Sequence, residues 1–352
     1  MSHSDEHRFK FRRIVFVSAL ALLMLVASGC GMSRLAANQI ITAPNHQHPT
    51  YPDDYYARWW TNFLAGKSSN SLRSMTIPVG PPAAKLKAVA LLPGDYGWKF
   101  VTKMATNKNV KSLYLNAERD TNHTFTPLPQ PATIVLLHGY TLTKESMLPW
   151  AFVFAQAGYR VVMIDLRGHG QSTGQWIGFG KYETEDLKQA LDYLIAQQLC
   201  DERVGVLGLS YGATMALHWA AHDPRVRAVA TIAPYNHPDD AIVRFVAMTR
   251  IPVPQKSVRA AAATVATKLD LKWNEWSAET AMRKIQCPVF LISGEKDPIC
   301  QRDDIEALKR AATCSTKSLE IAGADHIVLG ALFHELTEPL KNWFGEHLRV
   351  TN

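Results

Sequence analysis

The sequence lacks several features that would indicate other classes of protein. Its net charge is +7, yet it contains no dense run of lysine and arginine, so nucleic acid is not an expected partner. It has no Cys-x-x-Cys pair and no histidine cluster, so we expect neither a metal nor a cofactor. No internal repeat is visible. About 250 residues remain for one large domain, which is ample for a substantial core.

The most informative segment that is present is Gly208-Leu209-Ser210-Tyr211-Gly212. It follows the apolar run 204–207 and precedes a helix-like run at 213–221. This pattern predicts a strand, a sharp turn with a serine at its apex, and a helix. A serine hydroxyl needs such exposure, together with a nearby base, to act as a nucleophile.

Candidate partners of the serine occur downstream, each in a loop after a strand-like run. Asp297 follows the run 289–294, and His326 follows the run 317–321. The order serine, acid, histidine is that of the α/β-hydrolases, whereas other serine hydrolases use different orders. Asp239 and Asp240, which follow the run 228–233, are alternative positions for the acid.

Residues 95–348 resemble the α/β-hydrolase family. Two further motifs support the resemblance, His138-Gly139-Tyr140 after the run 133–137, and Asp165-Leu166-Arg167-Gly168-His169-Gly170-Gln171-Ser172 after the run 160–164. The alternation of apolar runs and helix-like stretches itself predicts a mostly parallel, doubly wound sheet covered on both faces. The resemblance adds a helical cap insertion, and it assigns 98–105 and 110–117 to the first two strands.

The resemblance implies a role for each site residue. Ser210 would attack a carbonyl carbon, His326 would accept its proton, and Asp297 would orient the imidazole. The backbone N–H groups of Tyr140 and Tyr211 would form the oxyanion hole.

Other charged residues near these motifs have structural interpretations. By resemblance, Asp165, Arg167 and His169 hold their turn together through internal hydrogen bonds. His138 is expected to brace the oxyanion loop. Phe245, Met248, Trp273 and Trp276 could line a substrate pocket, although packing within the cap is the more ordinary use of such residues.

The amino terminus resembles a bacterial lipoprotein signal peptide. A basic segment containing Arg8, Lys10, Arg12 and Arg13 precedes the apolar run 14–27, which is short for a membrane span. Ala27-Ser28-Gly29-Cys30 resembles a lipobox with Cys30 as the lipidated residue. Residues 1–29 would then be removed, and the protein would be exported and membrane-anchored in the cell envelope. Gly31 favours the outer membrane where the host has one. An ordinary secretory signal and an uncleaved anchor are alternatives.

The remaining chain divides into four expected parts. Residues 30–53 would form a tether, and 54–94 an N-terminal extension with an amphipathic helix at 54–65. Residues 95–235 and 287–348 would form the catalytic core, and 236–286 the helical cap.

Four cysteines besides Cys30 would enter an oxidising compartment, and they allow three disulfide pairings. By the strand order of the family, Cys287 and Cys314 would precede neighbouring strands, which favours that pair. Cys300 and Cys314 are separated by a helical run, which disfavours a bond between them. Cys200 is the fourth cysteine.

Together these features predict an exported, lipid-anchored serine hydrolase that cleaves carboxylic esters through an acyl-enzyme. A peptidase or amidase with the same triad is an alternative, with a short peptide as substrate. A non-catalytic lipoprotein that uses the fold as a binding scaffold is another, because fold alone does not establish function.

Overall fold

The computed structural model describes residues 7–10, 30–44, 72–107, 110–119, 126–128, 132–200 and 203–348. The strands are β1 His7–Lys10, β2 Leu72–Val79, β3 Ala84–Leu91, β4 Gly94–Asp95, β5 Trp98–Asn107, β6 Val110–Arg119, β7 Thr126–Pro127, β8 Thr133–Leu137, β9 Arg160–Ile164, β10 Val204–Leu209, β11 Val226–Ile232, β12 Val289–Gly294 and β13 Thr316–Ile321. The α-helices are α1 Cys30–Ile41, α2 Leu148–Gln156, α3 Glu183–Ala196, α4 Tyr211–His222, α5 Pro238–Met248, α6 Gln255–Leu269, α7 Ala278–Met282, α8 Arg302–Ala311 and α9 Phe333–Leu348.

An eight-stranded sheet forms the centre of the molecule, in the order β13-β12-β11-β10-β8-β9-β3-β2. The six strands from β13 to β9 are parallel, and at one edge β3 pairs antiparallel with β9 and β2 pairs antiparallel with β3. Every residue of β8 and β12 is buried, which fits a sheet with helices on both faces. The predicted fold class is confirmed.

The first two strands of this sheet are β2 and β3, so the assignment of 98–105 and 110–117 to those positions is wrong. The predicted pair does form an antiparallel hairpin, β5–β6, but it belongs to a separate sheet with β1. The last four residues of β3 are all buried and pair with β9, a position that suits continuous apolar sequence. The core sheet therefore begins at Leu72, inside the segment expected to be an extension.

Part of the expected tether is a helix instead. Helix α1 occupies Cys30–Ile41, and Ala37 and Ile41 on it are fully buried. Residues four apart lie on one face of a helix, so these two side chains let α1 pack on the body. The N–H of Ile177 donates to the carbonyl of Ile41 at 2.9 Å and secures the end of the helix.

Several expectations lie mainly outside the described residues. The apolar run 14–27 and the proposed amphipathic helix at 54–65 belong to this group. Within the predicted signal peptide, β1 pairs with β6. No helix of the described residues is long and apolar enough to cross a membrane. The segment 236–286 is largely helical, since α5, α6, α7 and a short turn at Trp273–Trp276 occupy most of it.

Candidate active site

Ser210 occupies a strained turn between β10 and α4. Its φ of 53° and ψ of −111° are unusual for a residue with a side chain, and its N–H donates to the carbonyl of Ile232 at 2.8 Å. A Cβ on Gly208 would lie 2.2 Å from the carbonyl oxygen of Gly212, and one on Gly212 would lie 2.4 Å from that of Leu137. The two glycines therefore allow the close approach of strand and helix that holds the serine at the apex.

The structure brings Ser210, His326 and Asp297 together. His326 Nε2 lies 2.8 Å from Ser210 Oγ, and His326 Nδ1 lies 2.9 and 2.7 Å from the two carboxylate oxygens of Asp297. An ionised carboxylate only accepts hydrogen bonds, so Nδ1–H donates to Asp297 and Nε2 is left to accept the serine proton. This relay has the geometry of a base positioned to activate a nucleophile.

Backbone hydrogen bonds hold the Asp297 side chain in place in addition to its contact with His326. Its side chain is fully buried, and its Oδ1 accepts the N–H groups of Ile299 at 2.8 Å and Cys300 at 2.9 Å. The alternative acids are on helix α5, where Asp240 instead pairs with Arg259 at 3.0 Å. The carboxylate that reaches the imidazole is therefore the one after β12.

The proposed oxyanion donors lie beside the serine. Tyr211 is the first residue of α4, where backbone N–H groups have no partner within the helix. Tyr140 follows Gly139, whose position is so close to the serine that a Cβ there would lie 3.6 Å from Ser210 Cβ. Within the described part of the chain, neither tyrosine N–H donates to a backbone carbonyl. Both groups are thus available to a negatively charged oxygen.

Two buried histidines brace the oxyanion loop. His138 Nε2 accepts the N–H of Leu166 at 3.0 Å, so its Nδ1 carries the proton and donates to the carbonyl of Gly139 at 2.8 Å. Burial lowers the pKa of His138 to about 4, which keeps it neutral near pH 7. His169 lies between two carbonyls, with Nε2 2.9 Å from Tyr140 O and Nδ1 2.9 Å from Arg167 O. Burial lowers the pKa of His169 to about 3.

Asp165 and Arg167 have structural positions. The carboxylate of Asp165 accepts the backbone N–H of Lys144 at 2.7 Å and its Nζ at 2.9 Å. The guanidinium of Arg167 forms a buried two-point contact with Asp186, at 2.7 and 2.5 Å. Neither side chain joins the relay.

Sequence reasoning missed Glu183, which is buried at the start of α3. Its Oε1 accepts the hydroxyl of Tyr211 at 2.8 Å and the N–H of Gly178 at 2.7 Å, and its Oε2 accepts the N–H of Gly180 at 2.9 Å. The contact fixes the side chain of the residue directly after the serine. No local motif marks Glu183, because its partners are brought to it by the tertiary fold.

The four aromatic and apolar cap residues have different surroundings. The ring of Phe245 packs edge-on against the ring of Tyr140, with centroids 5.5 Å apart, so the cap contacts a residue of the oxyanion loop there. Trp273 packs on Phe179 at 5.4 Å, and Trp276 on His218 at 5.5 Å. Met248 packs, partly buried, against the core.

The cysteines Cys200, Cys287, Cys300 and Cys314 are free thiols, so the favoured disulfide is not formed in this structure. Burial is the main cause that raises the pKa of the Cys287 thiol to about 12, and the neighbouring Cys314 adds to the shift. The described residues contain no group of histidine, cysteine, aspartate and glutamate that could hold a metal.

Comparisons with known proteins agree with this architecture. The model of the X-Pro dipeptidyl-peptidase S15 family matches residues 89–245, and that of the C-terminal region of the BAAT and acyl-CoA thioester hydrolases matches residues 184–322. A solved esterase of Pyrococcus furiosus superposes with a TM-score of 0.57 at 17% identity, covering 79% of this chain and 93% of its own.

The chain has the α/β-hydrolase fold, and both family models that match it describe hydrolases. Two curated proteins are examples of those with similar sequences. An uncharacterized 31.7 kDa protein of Escherichia coli is 26% identical in an alignment of 267 positions that covers 61% of this chain and 91% of that protein. A thermostable monoacylglycerol lipase of Bacillus is 32% identical in an alignment of 110 positions that covers 29% of this chain and 40% of the lipase. The esterase, lipase and peptidase matches support a hydrolase.

Proposed function

We propose that this α/β-hydrolase is an exported, lipid-anchored serine hydrolase that cleaves carboxylic esters through an acyl-enzyme. The observation that carries the proposal is the 2.8 Å contact between Ser210 Oγ and His326 Nε2, continued by Asp297 on the far side of the ring. A serine placed in this way has a base within proton-transfer distance and two backbone donors beside it.

The reaction follows from the positions of these groups. Ser210 Oγ bonds to the ester carbonyl carbon as its proton passes to His326 Nε2, and Asp297 remains ionised and stabilises the imidazolium. The carbonyl oxygen becomes an oxyanion facing the N–H groups of Tyr140 and Tyr211. His326 then gives its proton to the departing alkoxide. Water repeats the sequence on the acyl-serine and releases the carboxylic acid.

The hydrogen bonds of two carboxylates favour ester cleavage over aminopeptidase activity. An aminopeptidase needs an acidic group for the ammonium of its substrate. Among the residues that the structure describes, the carboxylates hydrogen-bonded to side chains of the proposed site are Asp297 and Glu183, which are occupied by His326 and Tyr211. Esterase and lipase names among the similar proteins agree with this preference, whereas the S15 family match supports the peptidase alternative.

A panel of p-nitrophenyl esters of graded chain length, assayed beside aminoacyl amides, tests the substrate class. We expect hydrolysis of the esters to be faster. A clear preference for amides would contradict the esterase proposal and leave the serine mechanism standing.

The nucleophile is tested with a fluorophosphonate probe, which bonds to an activated serine. We expect the wild-type protein to be labelled and Ser210→Ala to be unlabelled, while its thermal unfolding transition is retained. A folded wild-type protein that takes no label would instead favour the non-catalytic binding lipoprotein.

A further inference from the structure

Glu183 is a buried carboxylate that is not paired with a cation. It is 1% exposed at the start of α3, and no ion pair includes it in the portion of the chain that the structure describes. The nearby guanidinium of Arg167 pairs with Asp186 instead. Taking a carboxylate out of water is costly unless hydrogen bonds replace its hydration, and apolar side chains fill such positions at less cost. What the carboxylate of Glu183 holds in place therefore calls for an explanation.

Two of its hydrogen bonds hold the loop that precedes α3. The N–H of Gly178 donates to Oε1 at 2.7 Å, and the N–H of Gly180 donates to Oε2 at 2.9 Å. Phe179, between them, has a φ of 53°, a left-handed conformation that is strained for a residue with a side chain. The carboxylate thus fixes, from both sides, a residue whose ring packs on Tyr211 with centroids 6.0 Å apart.

The third hydrogen bond holds Tyr211 itself. The Tyr211 hydroxyl donates to Oε1 of Glu183 at 2.8 Å, and the residue is 2% exposed. The centroid of the Tyr211 ring lies 6.3 Å from that of Tyr140 and 5.7 Å from that of His169. The Nε2 of His169 lies in turn 2.9 Å from the carbonyl oxygen of Tyr140. The hydrogen bond to Glu183 therefore sets the position of a ring that contacts both sides of the proposed oxyanion hole.

We propose that Glu183 is a positioning residue for the oxyanion hole and that it acts through the hydroxyl of Tyr211. This inference rests on the proposed function. The carboxylate fixes the far end of the Tyr211 side chain, and the backbone N–H of the same residue donates to the oxyanion that forms on the substrate. An oxyanion hole depends on donors that are in place before the reaction, so a displaced donor stabilises the transition state less although it is still present.

Tyr211→Phe tests this hydrogen bond with the smallest change, because the ring remains and Glu183 keeps its bonds to Gly178 and Gly180. We expect kcat for p-nitrophenyl butyrate to fall about tenfold, less than the roughly hundredfold loss that follows the deletion of a donor. KM should change by less than about twofold, because the carbonyl of a bound ester has not yet become an oxyanion.

Tyr96→Phe is the matched control. It also removes a buried tyrosine hydroxyl, one that donates to the carbonyl of Leu92 at 2.7 Å, and it should lose stability while keeping the wild-type kcat.

A trifluoromethyl ketone, which adds to an activated serine as a tetrahedral oxyanion, gives a second readout. Its inhibition constant should rise about tenfold in Tyr211→Phe and stay at the wild-type value in Tyr96→Phe. A Tyr211→Phe protein with a lower melting temperature but an unchanged kcat and inhibition constant would show a purely structural hydroxyl and would overturn the proposal.

A double-variant cycle tests whether Glu183 acts through Tyr211. Glutamine keeps the shape of the side chain but has no charge and one acceptor oxygen, so its hydrogen bond with the hydroxyl is weaker. We expect Glu183→Gln to lower kcat about threefold in the wild type and to leave it nearly unchanged in Tyr211→Phe, where the hydroxyl is absent. Equal fold-losses in the two backgrounds would overturn the action through Tyr211. If Glu183→Gln lacks a cooperative thermal transition, the results for Tyr211→Phe decide by themselves.

Hydrogen exchange separates failure of this inference from failure of the proposed function. In Glu183→Gln the NH2 group of the new side chain faces the N–H of either Gly178 or Gly180, so the amides of 178–180 should exchange faster than in the wild type, independently of any hydrolysis. Unchanged exchange would overturn the role of Glu183. A folded wild-type protein that hydrolyses no ester and binds no ketone would refute the proposed function instead.

Discussion

At the scale of single residues, the position of Ser210 depends on neighbouring glycines, which have no side chain. Ser210 is held, partly exposed, at the apex of its turn because helix α4 starts directly against β8 and β10. A Cβ on Gly212 would lie 2.4 Å from Leu137 O and 2.6 Å from His138 O, both in the backbone. Backbone atoms of a buried strand cannot move aside as a flexible side chain can.

Gly212→Ala is therefore expected to remove both activity and a large part of the stability. The matched control is Gly323→Ala, where a Cβ would meet nothing within 4 Å although φ is +71°. The control should cost only about 1 kcal/mol and remain active. Thermal unfolding and p-nitrophenyl ester hydrolysis of the two variants check this. Similar melting temperatures and rates would show that the turn at Ser210 tolerates a side chain at position 212.

Buried histidines make stability depend on pH. His218 is buried on α4 and its Nε2 lies 3.1 Å from the carbonyl of Trp276. Burial lowers the pKa of His218 to about 4 from an ordinary value of 6.5. Between these values the unfolded chain binds a proton that the folded chain does not, so folding stability falls as the pH falls.

His218→Gln is expected to remove this contribution. The free-energy advantage of the wild type over the variant should shrink by about 1.4 kcal/mol per pH unit as the pH falls below about 6.5. Urea unfolding of both proteins, at neutral pH and at mildly acidic pH, measures the difference. A free-energy advantage that stays constant with pH would contradict the pH dependence attributed to His218.

At the scale of elements, α1 changes how the amino-terminal region is understood. A flexible tether would leave the body free to rotate beneath its anchor. Instead, Ala37 and Ile41 are buried, and Tyr140 bonds to the helix end. Packing of α1 thus supports the residue proposed to donate to the oxyanion.

Ala37→Glu should undock α1, because it places a charge at a fully buried position. We expect rapid proteolytic cleavage within residues 30–44 and slower hydrolysis of soluble esters, as Tyr140 loses its hydrogen-bond partner. Gln39→Glu, at an exposed position on the same helix, should behave as the wild type. Equal cleavage of the two variants would show that the docking contributes little.

At the scale of the whole molecule, the proposed membrane location depends on Cys30. Cys30→Ser should prevent lipid attachment and move the protein from the membrane to the soluble fraction of the envelope. Cys314→Ser, which removes a thiol at the far edge of the sheet, should leave the location unchanged. Metabolic labelling with an alkyne fatty acid and fractionation measure both effects. An unlabelled wild type would rule out lipidation at Cys30.

The sheet and the relay were predictable because their signals are local. Continuous apolar runs mark buried parallel strands, and the carboxyl ends of such strands meet at one edge of the sheet. Ser210 and Asp297 follow such buried strands, and His326 follows the edge strand β13, so their order along the chain indicated that they would converge.

Other features depend on partners distant in the chain. Both 72–91 and 98–117 form antiparallel hairpins, and only packing decided that the first pair joins β9 while the second joins β1. The contacts of Glu183 with Tyr211, and of Ile40 with Tyr140, likewise have no local signature. By itself, the sequence determined the fold class and the residues of the candidate relay. Only the tertiary structure decided which strands complete the sheet and what supports the oxyanion loop, because burial and hydrogen bonding there join segments that no periodicity connects.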